Sequence, residues 1–343
     1  MIIVENEKYY LVGDVGGTKT ELVIYSGERD IRKYKCKERI ATTDYESLQE
    51  LIARFLSSNN LYIEKCVLAV AGPVLNDDVT LTSSNLPWRI SRADLIRDLN
   101  IPDILLINDL EALARAIPHL TQSDLYAIIP GIRKKKETLA VIAPGTGLGE
   151  SFLIWDGEKY KACASEGANV NFGPRTDFEI ALLRHMRKKH QHVTYELVCS
   201  GLGIPLIYEC LKENFGMEDP LWVSELLRSV KDKTPVIINA ALQTERSCPL
   251  ATETLKHFVS ILGAETGNLV LKTMAKGGVF LGGGIPPRII PLLDSEVFLE
   301  SYRDKGLMTE MMYEIPVHII TTSDGVIMGA ADYLFSQYTQ VKS

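Results

Sequence analysis

Two stretches far apart in the chain follow a single plan, in which an apolar run enters a glycine-rich turn and a second apolar run leaves it. The first is YYLVGDVGGTKTELVIYSG and the second is TLAVIAPGTGLGESFLIWDG. Their outgoing halves, ELVIYSGE from Glu21 and SFLIWDGE from Ser151, align position by position. An internal repeat of this kind points to two related α/β domains facing each other, with chance similarity between two hairpins as the alternative. At 343 residues the length also suits two domains better than one.

The rest of the chain alternates short apolar runs with helical periodicity. A third strand is expected over Ile31 to Lys37, and a helix over Tyr45 to Ser57, where Leu48, Leu51, Ile52 and Leu56 share one face. KCVLAVAG and ILLIN (Ile104 to Asn108) are continuously apolar, as strands covered on both faces are. Ser91 is placed to cap a helix running to Leu99, and DLEALARAI forms a helix directly after ILLIN. Later helices are expected at Asp177 to His190, Ile204 to Asn214 and Thr252 to Met274. GGVFLGGG then gives a strand, and VHIITTSDGVIMGAADYLFSQ a last strand and helix. Such alternation specifies an α/β layer architecture. The pattern places a domain boundary near Pro118, giving a small domain of 1–118 plus 325–343 and a large one of 119–324.

Composition excludes several functions. A formal charge of −7 is wrong for binding nucleic acid, whose backbone needs a basic surface. The basic runs Arg133 to Lys136 and Arg187 to Lys189 are short and read as solvated faces. No apolar run approaches the ~18–20 residues that cross a bilayer, so no membrane partner is expected. Glu5 and Glu7 stand where a signal peptide would be apolar. The cysteines at 36, 66, 163, 199, 210 and 248 form no C-x-x-C pair, which excludes zinc ribbons and redox motifs. A cytoplasmic protein with reduced thiols is the expectation.

Glycine lets backbone come close to a ligand and aim its N–H groups at phosphate oxygens. GDVGGTKT lacks the spacing of a Walker loop, and APGTGLGE is followed by a strand where a dinucleotide fingerprint needs a helix. Two phosphate-contacting hairpin turns, or two plain hairpins, remain. Asp14, between glycines at the end of a buried strand, favours the first reading and suits hydrated Mg²⁺. Gly282 to Gly284 permit close approach of a flat group such as adenine, or relieve a helix-entry turn of side chains.

Asn108 and Asp109 fall where a buried strand hands over to a helix, the edge at which α/β sheets bind ligands. Asp109 is suited to catalysis there, and equally to capping the helix. Glu166 and Asn169 lie in a polar, glycine-containing stretch, and Glu196 on a short helix. Carboxylates and amides of this kind can hold sugar hydroxyls, although singly each is more often a surface group.

Taken in order, GDVGGTKT, AVAGPV, SSNLPW, LLINDLEALARAIP, APGTGLGES, SEGANVNFGP, ELVCSGLG and GGVFLGGGIPPR resemble the bacterial-type glucokinase family, within the hexokinase, actin and heat-shock-chaperone superfamily of ATPases. The resemblance implies a two-domain actin-like (ribonuclease-H-like) α/β fold with a cleft between a smaller and a larger domain. It implies an ATP- and Mg²⁺-dependent kinase for glucose or a related hexose, acting as a homodimer. Gly13, Asp14, Val15, Gly16, Gly17 and Thr18 would form the first phosphate loop, with Asp14 holding Mg²⁺ through water. Gly145, Thr146 and Gly147 would form the second loop, and Gly283 and Gly284 the adenosine motif. Asn85, Asn108, Asp109, Glu166, Asn169 and Glu196 would contact the sugar, with Asp109 as catalytic base. One departure touches specificity: Asn169 stands where the family usually has histidine, so choice at the sugar's first two carbons is open. A same-fold kinase for mannose or an amino sugar is one rival, and a sugar-responsive regulator another. The first turn begins at Gly13, which leaves no room for a regulator's DNA-binding helices.

Overall fold

A computed structural model describes residues 8–72, 74–75, 78–79, 86–131 and 134–339. The chain divides into two compact units, Met1–Leu120 with Thr322–Ser343, and Thr121–Thr321.

In the first unit the strands are β1 (Tyr9–Val15), β2 (Lys19–Ser26), β3 (Cys36–Ala41), β4 (Ile63–Val70), the short β5 (Val74–Leu75), β6 (Asp78–Val79) and β7 (Ile90–Ser91), and β8 (Ile104–Asn108). The main sheet has the order β3-β2-β1-β4-β8. Its first three strands are antiparallel, whereas β1, β4 and β8 run parallel. Alternate residues of β1 enter opposite cores: Leu11 packs with Leu48, Ile52 and Phe55, while Tyr10 and Val12 pack with Ile327 and Leu334. Burial on both faces is why these strands read as unbroken apolar runs.

The second unit repeats the scheme with β9 (Leu125–Ile129), β10 (Leu139–Pro144), β11 (Leu148–Trp155), β12 (Tyr160–Ser165), β13 (Val279–Leu281) and β14 (Val317–Ile320). The order β12-β11-β10-β13-β14-β9 again joins an antiparallel meander to parallel strands. The two glycine turns of the sequence repeat therefore occupy equivalent places, β1–β2 and β10–β11. Its core gathers around the 25-residue helix Pro249–Thr273. Among the described residues no helix is long and apolar enough to cross a membrane, and no disulfide links the six cysteines.

Local chemistry moved some boundaries. The third strand starts at Cys36, not Ile31, because residues after Asp30 form a turn in which Lys33 N donates to Asp30 O at 3.1 Å. The first helix begins at Leu48, where Ser47 Oγ accepts from Glu50 N at 3.1 Å. The helix from Asp177 ends at Met186. Beyond it Lys188 N and Lys189 N reach back only three residues, the tightened last turn typical of helix ends.

The helix Asp109–Ala116 packs backbone to backbone on the helix Gly325–Thr339. A Cβ at Gly329 would stand 1.6 Å from Ala112 O. Gly329→Ala must push the two helices apart, and overpacking of this kind costs about 1–3 kcal/mol. A clear drop in melting temperature is expected; an unchanged one would mean the helices separate freely.

Candidate active site

The parallel strands of the first unit bring its candidate residues to one edge. Asp14 pairs in register with Ala69, and Ala69 with Ile107, so Asp14 lies on the same edge as Asn108 and Asp109. Asn108 caps the following helix: its Oδ1 accepts from Leu110 N at 2.9 Å and Glu111 N at 3.2 Å, while Nδ2 donates to Gly72 O at 2.9 Å. The capping role thus belongs to Asn108 and not to Asp109, which is the first helical residue and accepts from Leu110 N at 2.9 Å. The amide of Asn108 keeps one further N–H beyond the bond to Gly72.

Burial, then the charges of Asp109 and Glu21, push the Asp14 carboxyl up to about 7; Arg39 and Lys37 oppose them. Glu21, opposite Asp14 in the β1–β2 register, pairs with Lys37 and with Arg39 (2.9 Å). Lys37 also reaches Asp324 at 2.6 Å. Nothing in the sequence drew attention to Lys37, Arg39 or Asp324. The only local signal was Lys37 and Arg39 two apart on one strand, hence on one face.

Within the first turn, Gly16 N donates to Lys19 O at 3.1 Å. Thr42, also missed, fastens the turn: its Oγ1 donates to Gly16 O at 2.8 Å and its N–H to Thr18 O at 3.0 Å. Gly17 and Thr18 form the tip. Val15 points into the core and its carbonyl accepts from Ala71 N at 3.2 Å, so it shapes the loop without facing out of it. Gly13 serves packing, since a Cβ there would meet Leu68 at 2.7 Å. Asn85 lies outside the described residues.

In the second unit, three glycine segments distant in sequence meet at the ends of β10 and β13. Gly145 N donates to Gly147 O at 2.8 Å, and the carbonyls of Gly145 and Thr146 accept from Gly201 N (2.8 Å) and Leu202 N (3.2 Å). Gly283 has φ +81, and a Cβ on it would stand 2.5 Å from Pro144 O. Gly284 beside it faces open space. The carboxylate of Glu196, on the helix Tyr195–Val198, accepts from Leu148 N at 3.2 Å and lies where a Cβ of Gly147 would come within 2.4 Å. Glu196, read from sequence as a sugar contact, is thus brought against the second glycine turn. The Gly201–Leu202 backbone that supports this turn had no assigned role.

Glu166 precedes the 3₁₀ turn Gly167–Asn169, and both Glu166 and Asn169 are exposed. Asn169 Nδ2 donates to Glu166 Oε2 at 3.0 Å, which sets the carboxylate and amide side by side. Among the described residues no three or more His, Cys, Asp or Glu side chains are grouped to hold a metal ion.

The family model described as Glucokinase matches residues 11–337. A glucokinase of Trichormus variabilis is 36% identical over 335 residues, covering 94% of this chain and 97% of its own. A crystal structure of glucokinase from an Antarctic psychrotroph has 29% identity and a TM-score of 0.77, covering 96% of this chain and 99% of that one. A Balamuthia mandrillaris glucokinase solved in complex with glucose shares the fold, with a TM-score of 0.79 at 22% identity, over 97% of this chain and 95% of that one.

Proposed function

The chain belongs to the glucokinase family, and on that footing we propose how its own residues perform the reaction. The reaction is transfer of the γ-phosphoryl of ATP to the 6-hydroxyl of glucose, giving glucose 6-phosphate and ADP. The transition state of phosphoryl transfer is loose and highly charged, so positioning and charge stabilisation supply most of the catalysis.

Asp109 accepts the proton of the attacking hydroxyl. Asn108, Glu166, Asn169 and Glu196 orient the hexose. Asn85 is assigned to the sugar on the family resemblance alone. Gly17 and Thr18 in the first turn, and Thr146 and Gly147 in the second, present backbone N–H groups to the phosphates, while Gly13, Val15, Gly16 and Gly145 shape the turns; Gly283 and Gly284 leave space for adenosine. One observation supports the reading most strongly: Asp14 and Asp109 share a strand edge, near enough for the charge of one to raise the other. A carboxyl so raised gains from a nearby cation. A single such carboxylate fits a divalent ion that keeps most of its waters and leans on phosphate oxygens. Asp14 would hold Mg²⁺ in this way, and the bound ion would neutralise charge on the β- and γ-phosphates. We assign the protein to the cytoplasm, and to a homodimer that sedimentation velocity would detect.

The pairing of Asn169 with Glu166 gives mannose and amino sugars a specific claim as rival acceptors, because it sets which groups meet the sugar ring. A coupled assay over glucose, mannose, fructose and glucosamine is expected to give glucose the highest kcat/KM. A tenfold preference for another acceptor would replace glucose as the substrate.

A further inference from the structure

Beneath the Glu166–Asn169 turn lies a carboxyl that the reaction above does not use. Glu150 sits on β11 opposite Ser165 of β12 and is 2% exposed. Neither of its oxygens meets an N–H or hydroxyl donor among the described residues; the polar group it meets is the carboxyl of Glu265. Its Oε2 presses so closely under Gly167 that a Cβ there would stand 2.1 Å away. The turn can rest on this carboxyl only because position 167 has no side chain.

Glu265, fully buried on the helix Pro249–Thr273, exerts the strongest charge on Glu150. Glu265 accepts from Lys272 Nζ and from Asn268 Nδ2, each at 2.8 Å. Asn268 Nδ2 also donates to the hydroxyl of Tyr195 at 3.2 Å, one residue before Glu196, and its Oδ1 accepts from Lys305 Nζ at 2.9 Å. The two carboxyls therefore stand behind both hexose-facing segments of this unit.

Burial and Glu265 push Glu150 up to about 8, with Lys272 opposing them. At neutral pH Glu150 is protonated. Of the other groups packed here, burial and Glu265 hold Cys199 and Tyr195 uncharged well beyond pH 9. Lys305, lowered to about 8 by burial and Arg175, is the one other group that changes charge between pH 7 and 9.

We propose that Glu150 is a positioning residue for the hexose: uncharged, it supports the Glu166–Asn169 turn, and once ionised against Glu265 it lifts that turn and weakens hexose binding while nucleotide binding is unaffected. This rests on the reading that Glu166 and Asn169 hold the hexose.

The test is calorimetric titration of glucose and, separately, of ADP into the full-length protein from pH 7 to 9. For the wild type the glucose Kd is expected to rise roughly tenfold, as the fraction competent to bind falls about tenfold, while the ADP profile, which carries the ionisation of Asp14, is the same in wild type and Glu150→Gln. Glu150→Gln, which cannot ionise, is expected to flatten the glucose profile; Glu150→Met serves the same purpose should the amide prevent folding. A wild-type-like rise in either variant would assign the effect to Lys305 and overturn the proposal. A flat wild-type glucose profile, readable without any variant, or an ADP profile that Glu150→Gln alters as strongly as the glucose profile, would overturn it as well. The underlying reading fails separately, if Glu166→Ala leaves glucose binding at pH 7 unchanged.

Discussion

Replacing Asp109 with alanine is expected to lower kcat by on the order of 10²–10⁴, the range a positioned general base supplies, while glucose binding stays measurable. The structure makes this a clean experiment. Asn108 holds the helix N-terminus through Leu110 N and Glu111 N, so the helix keeps its cap when the Asp109 carboxylate is removed. Had Asp109 been the cap, a loss of activity could have reflected a frayed helix. Melting temperature should therefore change little while turnover collapses. Steady-state kinetics with glucose and ATP, together with a thermal melt, read both quantities. Turnover within a few-fold of wild type would remove Asp109 from the chemistry. Asp109→Asn, which keeps the shape and loses the basicity, should fall nearly as far.

Gly283→Ala should raise the KM for ATP at least tenfold, for reasons of backbone geometry. At φ +81 an L-residue is strained, and the new Cβ would lie 2.5 Å from Pro144 O and 2.9 Å from Pro144 C. Both atoms belong to backbone, so no side chain can rotate out of the way. Relief requires the 282–285 segment to withdraw from the 144–147 turn, which separates the two segments assigned to adenosine and to phosphate. A stability loss of about 1–3 kcal/mol should accompany it, as for other overpacked positions. Gly284, one residue on and facing open space, is the control: Gly284→Ala should retain far more affinity. Calorimetric titration with ADP separates the binding defect from any effect on turnover. Equal ADP affinities for wild type and Gly283→Ala would refute the steric account.

Much of the scaffold was legible before any coordinates. ILLIN ends at Asn108 and the helix starts at Asp109, as the change of period from strand to helix indicated. The two hairpins were visible as a repeated strand–glycine–strand string, and the sheets built on them share the order of five strands, to which the second adds β9 antiparallel. Where the sequence reading slipped, a single polar contact had decided the outcome. Ser47 set a helix start, and Asn108 took the cap that Asp109 suits equally well by residue type. Period says little about such choices, because neighbouring polar residues compete for the same N–H groups at similar energies.

Sequence alone settled what depends on neighbours along the chain: the alternation of strand and helix, the turns, and the residue types available for phosphate and hydroxyl recognition. Tertiary structure decided which of those groups meet. It set Glu196 against the second turn, brought the backbone of Gly201 to Gly145 and that of Gly283 to Pro144, tied Lys37 to Asp324, and placed Glu150 beneath Gly167 opposite Glu265. These pairs lie far apart in the chain, and their proximity follows from strand register and helix packing. Burial then turns that proximity into chemistry, since a carboxyl deprived of water responds strongly to the next charge it meets.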